Sequence, residues 1–401
     1  MTLVEKQIIK RNHQYYKDID RICFLSKNLY NSTLYTVRQH YKETEQYMNY
    51  NQVNALFTKN NQVDYCALPR KVSKCTQILL DKNYKSFFKK VKTDNTCKPP
   101  KYLDKINGRQ ITMYCKQALS FKKDGFVKLS STNIYVKTNK NVQFVRLIPK
   151  NGYYVIEIGY IVEDVDTKPN NNKFAAIDLG INNLATLTSN TFSPIIINGR
   201  PLKSINKYYN ELQSRTKSKL EKTNKQKTSN RLKSYCRIRD NKINDYFHKA
   251  SRFIVNHLVS TNVNTLVIGY NKGWKQDIKM WKDDKQNFVY IPFFKFIQML
   301  EYKCNLVGIN VIIHEESYTS KTSFRYQDYI PTYNIDDYNF QPTGKRIKRG
   351  LFKDKDGTII NADVNGSYNI MRKTLIENVA WNENIFFDCV KVCSTPLVKS
   401  F

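Results

Sequence analysis

The sequence predicts a multi-domain chain of mixed α/β and β class, and three observations carry that expectation. Residues 18–48 and 71–92 keep apolar positions at an approximate 3.6-residue spacing, the mark of helices with one buried side. From about 117 to 162 the pattern changes to short alternating runs punctuated by Asp124-Gly125 and Asn151-Gly152, dipeptides that tolerate the positive φ of tight hairpin turns. From residue 174 onward, short apolar runs alternate with helical patterns, the order expected of a sheet covered by helices.

In the first helix Ile19, Ile22, Cys23, Leu25, Leu29, Leu34 and Val37 face inward. The second aligns Val72, Cys75, Leu79 and Phe87, and interleaves Lys82, Lys85, Lys89 and Lys90 with Tyr84 and Phe88. Basic and aromatic groups together suit a nucleic-acid backbone with stacked bases, and equally an amphipathic helix with solvated lysines. Asn151-Gly152 separates VQFVRLI from YYVIEIGYIV, which predicts a small antiparallel barrel or sheet. EDVDTKPNNNK (163–173) is then a polar linker and the main boundary. FAAIDL (174–179) is a continuous apolar run fit for a strand buried on both faces. NLATLTS and PIII (194–197) give two more strands, and 203–258 a long helical region with Ile243, Phe247, Ala250, Phe253, Ile254, His257 and Leu258 on one side. TLVIGY (265–270) is a fourth strand, Pro292 opens a helix that Gly308 stops, and INVIIH (309–314) is a fifth strand. Three hairpin-linked strands followed by alternating helices and strands is the order of a ribonuclease-H-like fold.

Charge narrows the partners. The chain has 66 Lys and Arg against 34 Asp and Glu, a formal charge of +32, the footprint of a polyanion binder. Residues 203–249 alone hold fourteen basic residues against four acids, including Lys217, Lys219, Lys222 and Lys225. No stretch approaches the ~18 consecutive apolar residues of a spanning helix, so membrane partners are not expected, and the N-terminus lacks the long apolar core of a secretory signal. Nine cysteines lie scattered with no CxxC pair, which predicts small core residues in a reducing intracellular compartment.

Three acidic elements carry the chemistry. Asp178 ends one apolar run, Glu315 and Glu316 follow another, and Asp363 opens NADVNGSYNI. Carboxylates at the ends of separate strands and the start of a late helix suit divalent cations for phosphodiester cleavage, two metals about 3.5–4 Å apart clamping the attacking and leaving oxygens. Oxygen ligands select hard cations, Mg²⁺ or Mn²⁺.

With these motifs on the page, the chain resembles the TnpB proteins of transposons and their eukaryotic and viral relatives, the Fanzor proteins. AAIDLGINNLATL is similar to the first RuvC nuclease motif and NADVNGSYNI to the third. VIGYNKGWKQ and IPFFKFIQMLEYKCNLVGINVIIHEESYTSK resemble the segment between them, and LSKNLYNSTLY and LPRKVSKCTQILLDKNYKSFFK the recognition-lobe helices, so the likeness spans most of residues 5–375. The resemblance implies an RNA-guided endonuclease with guide RNA and target double-stranded DNA as partners, Mg²⁺ or Mn²⁺ as cofactor, and Asp178, Glu316 and Asp363 as catalytic metal ligands. It implies a wedge β-barrel at 1–17 and 100–172, a helical recognition domain at 18–99 and a RuvC nuclease domain at 173–319 and 351–375. An inserted nucleic-acid-binding loop at 320–350 and a C-terminal tail at 376–401 complete the chain, a monomer being favoured.

Two departures from the family pattern matter. Most TnpB proteins end the fourth strand in a metal-binding Glu, where this chain has Gly269 and Tyr270. The fifth strand ends in Glu315-Glu316 instead, as in the Fanzor-like branch. Glu316 is preferred because it stands two residues before Tyr318, with Glu315 the alternate. Many relatives also carry a Cys-based zinc ribbon after YTSK; residues 320–350 contain no Cys, so no structural zinc is expected. There Lys345, Arg346, Lys348 and Arg349 suit nucleic acid or, in a eukaryotic host, a nuclear import signal. The rival readings are a DNA-strand-transferring transposase or accessory protein, and an RNA-guided binder that no longer cuts.

Overall fold

The computed structural model describes residues 1–122, 125–224, 228–271, 290–333, 335, 340–348, 350–378 and 396–401. The chain divides into two compact units, Met1–Glu163 and Asp164–Phe401.

The first unit opens with strand β1 (Thr2–Ile9) and four helices, α1 (Tyr16–Thr44), α2 (Tyr50–Lys59), α3 (Val63–Cys66) and α4 (Arg70–Val91). Helix α1 buries Ile19, Ile22, Cys23, Leu29, Leu34 and Val37, the stripe its periodicity predicts. Helix α2 starts at a reciprocal cap: the Asn49 side chain accepts from the Asn51 and Gln52 amides, and Gln52 accepts from the Asn49 amide. Six strands follow: β2 (Thr112–Cys115), β3 (Leu119–Phe121), β4 (Phe126–Leu129), β5 (Tyr135–Lys137), β6 (Val142–Lys150) and β7 (Tyr153–Ile161). They form two antiparallel sheets, β1-β7-β6-β2 and β3-β4-β5, and no ladder among the described residues closes them into a barrel. The β6–β7 hairpin turns at Gly152, whose φ of +87° explains the Asn-Gly pair. Asp124 of the other predicted turn lies outside the described residues. Helices and sheets share one core, in which Leu29 and Leu80 join Leu129, Leu147 and Ile156.

The second unit is built on a six-stranded sheet. Its strands are β8 (Phe174–Leu179), β9 (Asn183–Ser189), β10 (Ile195–Asn198), β11 (Thr265–Gly269), β12 (Asn310–His314) and, after three short strands described below, β16 (Leu397–Lys399). The order is β12-β11-β8-β9-β10-β16. β8, β9 and β10 run antiparallel as consecutive neighbours, whereas β11 and β12 join parallel on the other side of β8. Helices α5 (Arg200–Asn224) and α6 (Asn230–Ser260) lie between β10 and β11 in sequence, and α7 (Phe293–Asn305) between β11 and β12. Residues 376–401, expected as a tail, supply an edge strand: Leu397–Lys399 pair in parallel with β10.

Alternation along β8 decides what reaches the site. Ala175, Ile177 and Leu179 enter the core with Phe247, Ile254, Phe296 and Leu300 of α6 and α7. Phe174 and Ala176 point to the opposite face, where Tyr368, Ile370 and Met371 of α8 (Ala362–Asn378) cover the sheet. With a side-chain period of two, Asp178 shares the α8 face. The remaining strands, β13 (Lys345–Lys348), β14 (Leu351–Lys353) and β15 (Ile359–Asn361), form an antiparallel sheet leading directly into α8. The boundary expected at 350/351 therefore falls inside a sheet, because β13 pairs with β14.

Candidate active site

Two small residues of α8 let the helix settle on the sheet. Ser367 Oγ lies 2.9 Å from Thr188 Oγ1 and 3.1 and 2.9 Å from the carbonyl oxygens of Ala176 and Thr186. At Gly366 a Cβ would stand 2.9 Å from Asp178 Oδ2, so a larger residue would press on that carboxylate. The helix start is capped by Asn361, whose side chain accepts from the Asp363 and Val364 amides. That leaves the Asp363 side chain free of the capping role and directed to the same cavity as Asp178.

Asp178, Glu316 and Asp363 line one cavity of about 390 Å³ together with Asn183, Asn271 and Arg346. Asp363 Oδ2 accepts from Asn183 Nδ2 at 2.6 Å, and its Oδ1 lies 3.2 Å from Arg346 Nη2. Burial, then the negative charges of Glu316 and Asp363, hold the Asp178 carboxyl well above the usual carboxylate range. Burial and then the charge of Glu315 push Glu316 up to about 7. Glu316 Oε2 is buried without a hydrogen-bond partner among the described residues.

The neighbouring pair of acids divides cleanly. Glu315 accepts from Lys373 Nζ at 2.5 Å and from the Ser317 amide at 2.6 Å. Against the opposing effect of burial, these bonds lower its pKa. Glu316 turns the other way, its amide donating to Asn271 Oδ1 at 3.0 Å. The turn after it passes through Tyr318 at φ +66°, a conformation that bulky side chains rarely adopt.

The donor set fits a hard divalent cation. Asp178 and Glu316 are half-buried with raised pKa, Arg346 is a cation beside them, and one Glu316 carboxylate oxygen has no hydrogen-bond partner among the described residues. Among the described residues no group of three or more His, Cys, Asp or Glu is placed to hold a metal ion by itself. Mg²⁺ keeps several waters and takes one or two carboxylates plus substrate phosphate, so it does not require such a group.

Residues 157–275 match the family model OrfB_IS605, probable transposase, and residues 293–370 match the Cas12f1-like TNB domain. Each match covers only part of the chain, and together they are consistent with the TnpB family. Its fold is similar to that in a cryo-EM structure of a Cas12f1–sgRNA–target DNA complex, with a TM-score of 0.54 and 14% identity over 88% of this chain and 83% of that one. The mini-RNA-guided endonuclease CRISPR-Cas_phi3 aligns with a TM-score of 0.39 and 11% identity over 93% of this chain and 92% of that one. No curated protein matches the chain in sequence.

The other expected contact residues of this chain fall in three places. Lys82, Lys85 and Lys89 are exposed on α4, Lys85 paired with Asp81 at 2.8 Å. Tyr84, expected to offer its ring to nucleic acid, is a correction: it is only 6% exposed and packs against Tyr47 and Phe88. The buried stripe of α4 runs through Val72, Ser73, Thr76, Gln77, Leu80, Asp81 and Tyr84, so the helix is rotated from the expected Val72, Cys75, Leu79 and Phe87 face. Lys217, Lys219 and Lys222 are exposed on α5; Lys225 lies outside the described residues. Lys345 and Lys348 are exposed on β13, Arg349 lies outside the described residues, and Arg346 reaches into the acidic cavity. Asn183, Asn271 and Lys373 were not anticipated, although Asn183 and Asn271 stand inside the motifs that carry the family likeness.

Proposed function

We propose that the chain is an RNA-guided, metal-dependent DNA endonuclease of the Fanzor-like branch, binding a structured guide RNA and cutting target double-stranded DNA beside a short flanking motif. The observation that carries this reading is the convergence of Asp178, Glu316 and Asp363, from two strand ends and a helix start, on one cavity. The Cas12f1 structure with the same fold contains a guide RNA and target DNA, which supports those partners here. The +32 surplus supplies the electrostatic attraction both would need.

Asp178, Glu316 and Asp363 would hold the cations. When bound, Mg²⁺ would activate a water for attack on the phosphodiester and stabilise the departing oxygen. The residues present do the rest. Asn183 orients Asp363, Asn271 fixes the turn that delivers Glu316, and Lys373 keeps Glu315 engaged with itself. Arg346, beside Asp363, offers a guanidinium to a phosphate entering the cavity.

The test begins with sequencing the RNA that copurifies with the chain. Cleavage of matched DNA is then assayed with that RNA and Mg²⁺ or Mn²⁺. RNA-dependent cutting lost in Asp178→Ala supports the reading. Specific binding to transposon ends without RNA would favour the transposase, and RNA-dependent binding without cutting would favour the silent binder.

A further inference from the structure

A second cavity, of about 620 Å³ and mainly apolar in its walls, adjoins the acidic one. Tyr270, Ile313, His314, Thr332 and Tyr333 line it, and Asn271 and Ser317 border both cavities. It opens where β12, the edge strand of the sheet, comes to an end. Tyr333 is 61% exposed and Ile313 40%, so large apolar groups face solvent beside a strongly polar site.

We infer that this slot takes the unpaired nucleobase next to the phosphate held in the acidic cavity, stacked on the Tyr333 and Tyr270 rings. The inference rests on the nuclease reading above. A strand whose phosphate enters the acidic cavity must place an adjacent base nearby, and the shared wall at Asn271 and Ser317 puts the slot directly alongside. The volume lies within the range of sites that enclose small organic ligands. Every base has a π face, so tyrosine rings capture it whatever its identity. A base still paired in a duplex cannot enter, so the slot selects single-stranded substrate at the point of cutting. Sequence recognition is left to other parts of the molecule.

The experiment uses the full chain carrying Asp178→Asn to prevent cutting, and a single-stranded DNA oligonucleotide with 2-aminopurine placed at successive positions. Stacking quenches this base's fluorescence. Quenching is expected on binding, kept in a Tyr333→Phe variant and lost in Tyr333→Ala. The alanine variant should bind roughly five- to 150-fold more weakly, the effect of removing one base–aromatic stack. Because Tyr333 is exposed, neither variant threatens folding. No binding by the parent, or equal quenching and affinity in Tyr333→Ala, overturns the inference. Cutting by the chain with Asp178 intact, measured separately, distinguishes the two readings: cutting without stacking removes only the slot, and stacking without cutting removes only the nuclease.

Discussion

A Cβ placed on Gly269 would lie 2.6 Å from Glu316 Oε2 and 2.5 Å from Ile370 Cδ1 of α8, so the end of β11 competes for one volume with the acid after β12 and with that core side chain. The parallel register sets Gly269 level with His314, two residues before Glu316. Most TnpB proteins carry their acid at the end of this β11 strand. Here the missing side chain makes room for both Glu316 and Ile370. Gly269→Ala should displace the Glu316 carboxylate and lower cleavage on the order of 10²-fold, as misplacements of about 1 Å do. Gly269→Glu alone should be inactive. Gly269→Glu combined with Glu316→Ala should cut better than either single variant. Full activity in Gly269→Ala would mean that Glu316 does not act from this position.

Glu315 and Glu316 should separate experimentally. Asp178→Ala, Glu316→Ala and Asp363→Ala are expected to abolish cleavage while leaving RNA affinity within about twofold, since none belongs to an exposed basic surface. Glu315→Ala should keep substantial activity and instead lose stability. It removes the acceptor of Lys373, whose side chain is only 3% exposed, and a buried donor left short of a partner costs about 1–3 kcal/mol. Thermal melts and cleavage rates read the two effects independently. A dead, fully stable Glu315→Ala alongside an active Glu316→Ala would reverse the assignment.

The site was legible because its parts are local. FAAIDL had to be a buried strand, so Asp178 had to emerge at a strand end. INVIIH did the same for the Glu pair, and the helix pattern after Asp363 placed that acid at a helix start. What brings them together is not local. Gly366 and Ser367 read as ordinary small residues until the helix is laid on the sheet. The burial of Tyr84 is not legible in the sequence because the inward side of α4 is largely polar: Ser73, Thr76, Gln77 and Asp81 are buried there, and hydrophobic periodicity cannot report such a face. Leu397–Lys399 gave no strand signal, since an edge strand of three residues draws its order from pairing with β10.

Acidity gives a third expectation. Glu316 is raised from 4.5 to about 7 in the folded chain. Between those values the folded state holds more protons than the unfolded one, so its stabilising contribution is complete below about 4.5 and lost as pH rises through about 7. Without divalent cations, Glu316→Gln should therefore melt above the parent at about pH 8 and level with it near pH 4.5, by roughly 2–4 °C for each kcal/mol recovered. Mg²⁺ should raise the parent's melting temperature more at the higher pH, where the carboxylates are free of protons. A Glu316→Gln protein that melts lower than the parent at both pH values would contradict this account.

The segment after Tyr318 is held by polar side chains. Ser323 donates to Asp354 at 2.6 Å, Arg325 bridges Asp354 and Asp356 at 3.2 and 3.0 Å, and Asp328 accepts from the Ser323 and Thr343 amides, each at 2.9 Å. Asp354 is buried beneath this network. Elemental analysis should accordingly find no stoichiometric zinc, and a chelator should leave the melting temperature of the metal-free chain unchanged. Asp354→Asn should lower it, since a buried ionic partner of Arg325 is lost. One bound zinc per chain would show that this segment is ordered by metal.

Salt dependence tests the basic helix α5. Each phosphate neutralised by Lys or Arg releases condensed counterions, which gives a log–log slope near −0.7 per contact for a single strand. Lys217, Lys219 and Lys222 are exposed on this helix, with Lys225 close behind them in sequence. Replacing the four with Gln should shallow the slope for RNA or DNA by as much as roughly 0.7 for each side chain that touches phosphate. The Mg²⁺ requirement for cleavage should stay where it was, because Lys217, Lys219 and Lys222 do not line the acidic cavity. The two measurements together separate a phosphate-binding surface from a solvated one. Unchanged slopes for both nucleic acids would assign these lysines to solubility, and the +32 surplus would then have to act through α4 and β13.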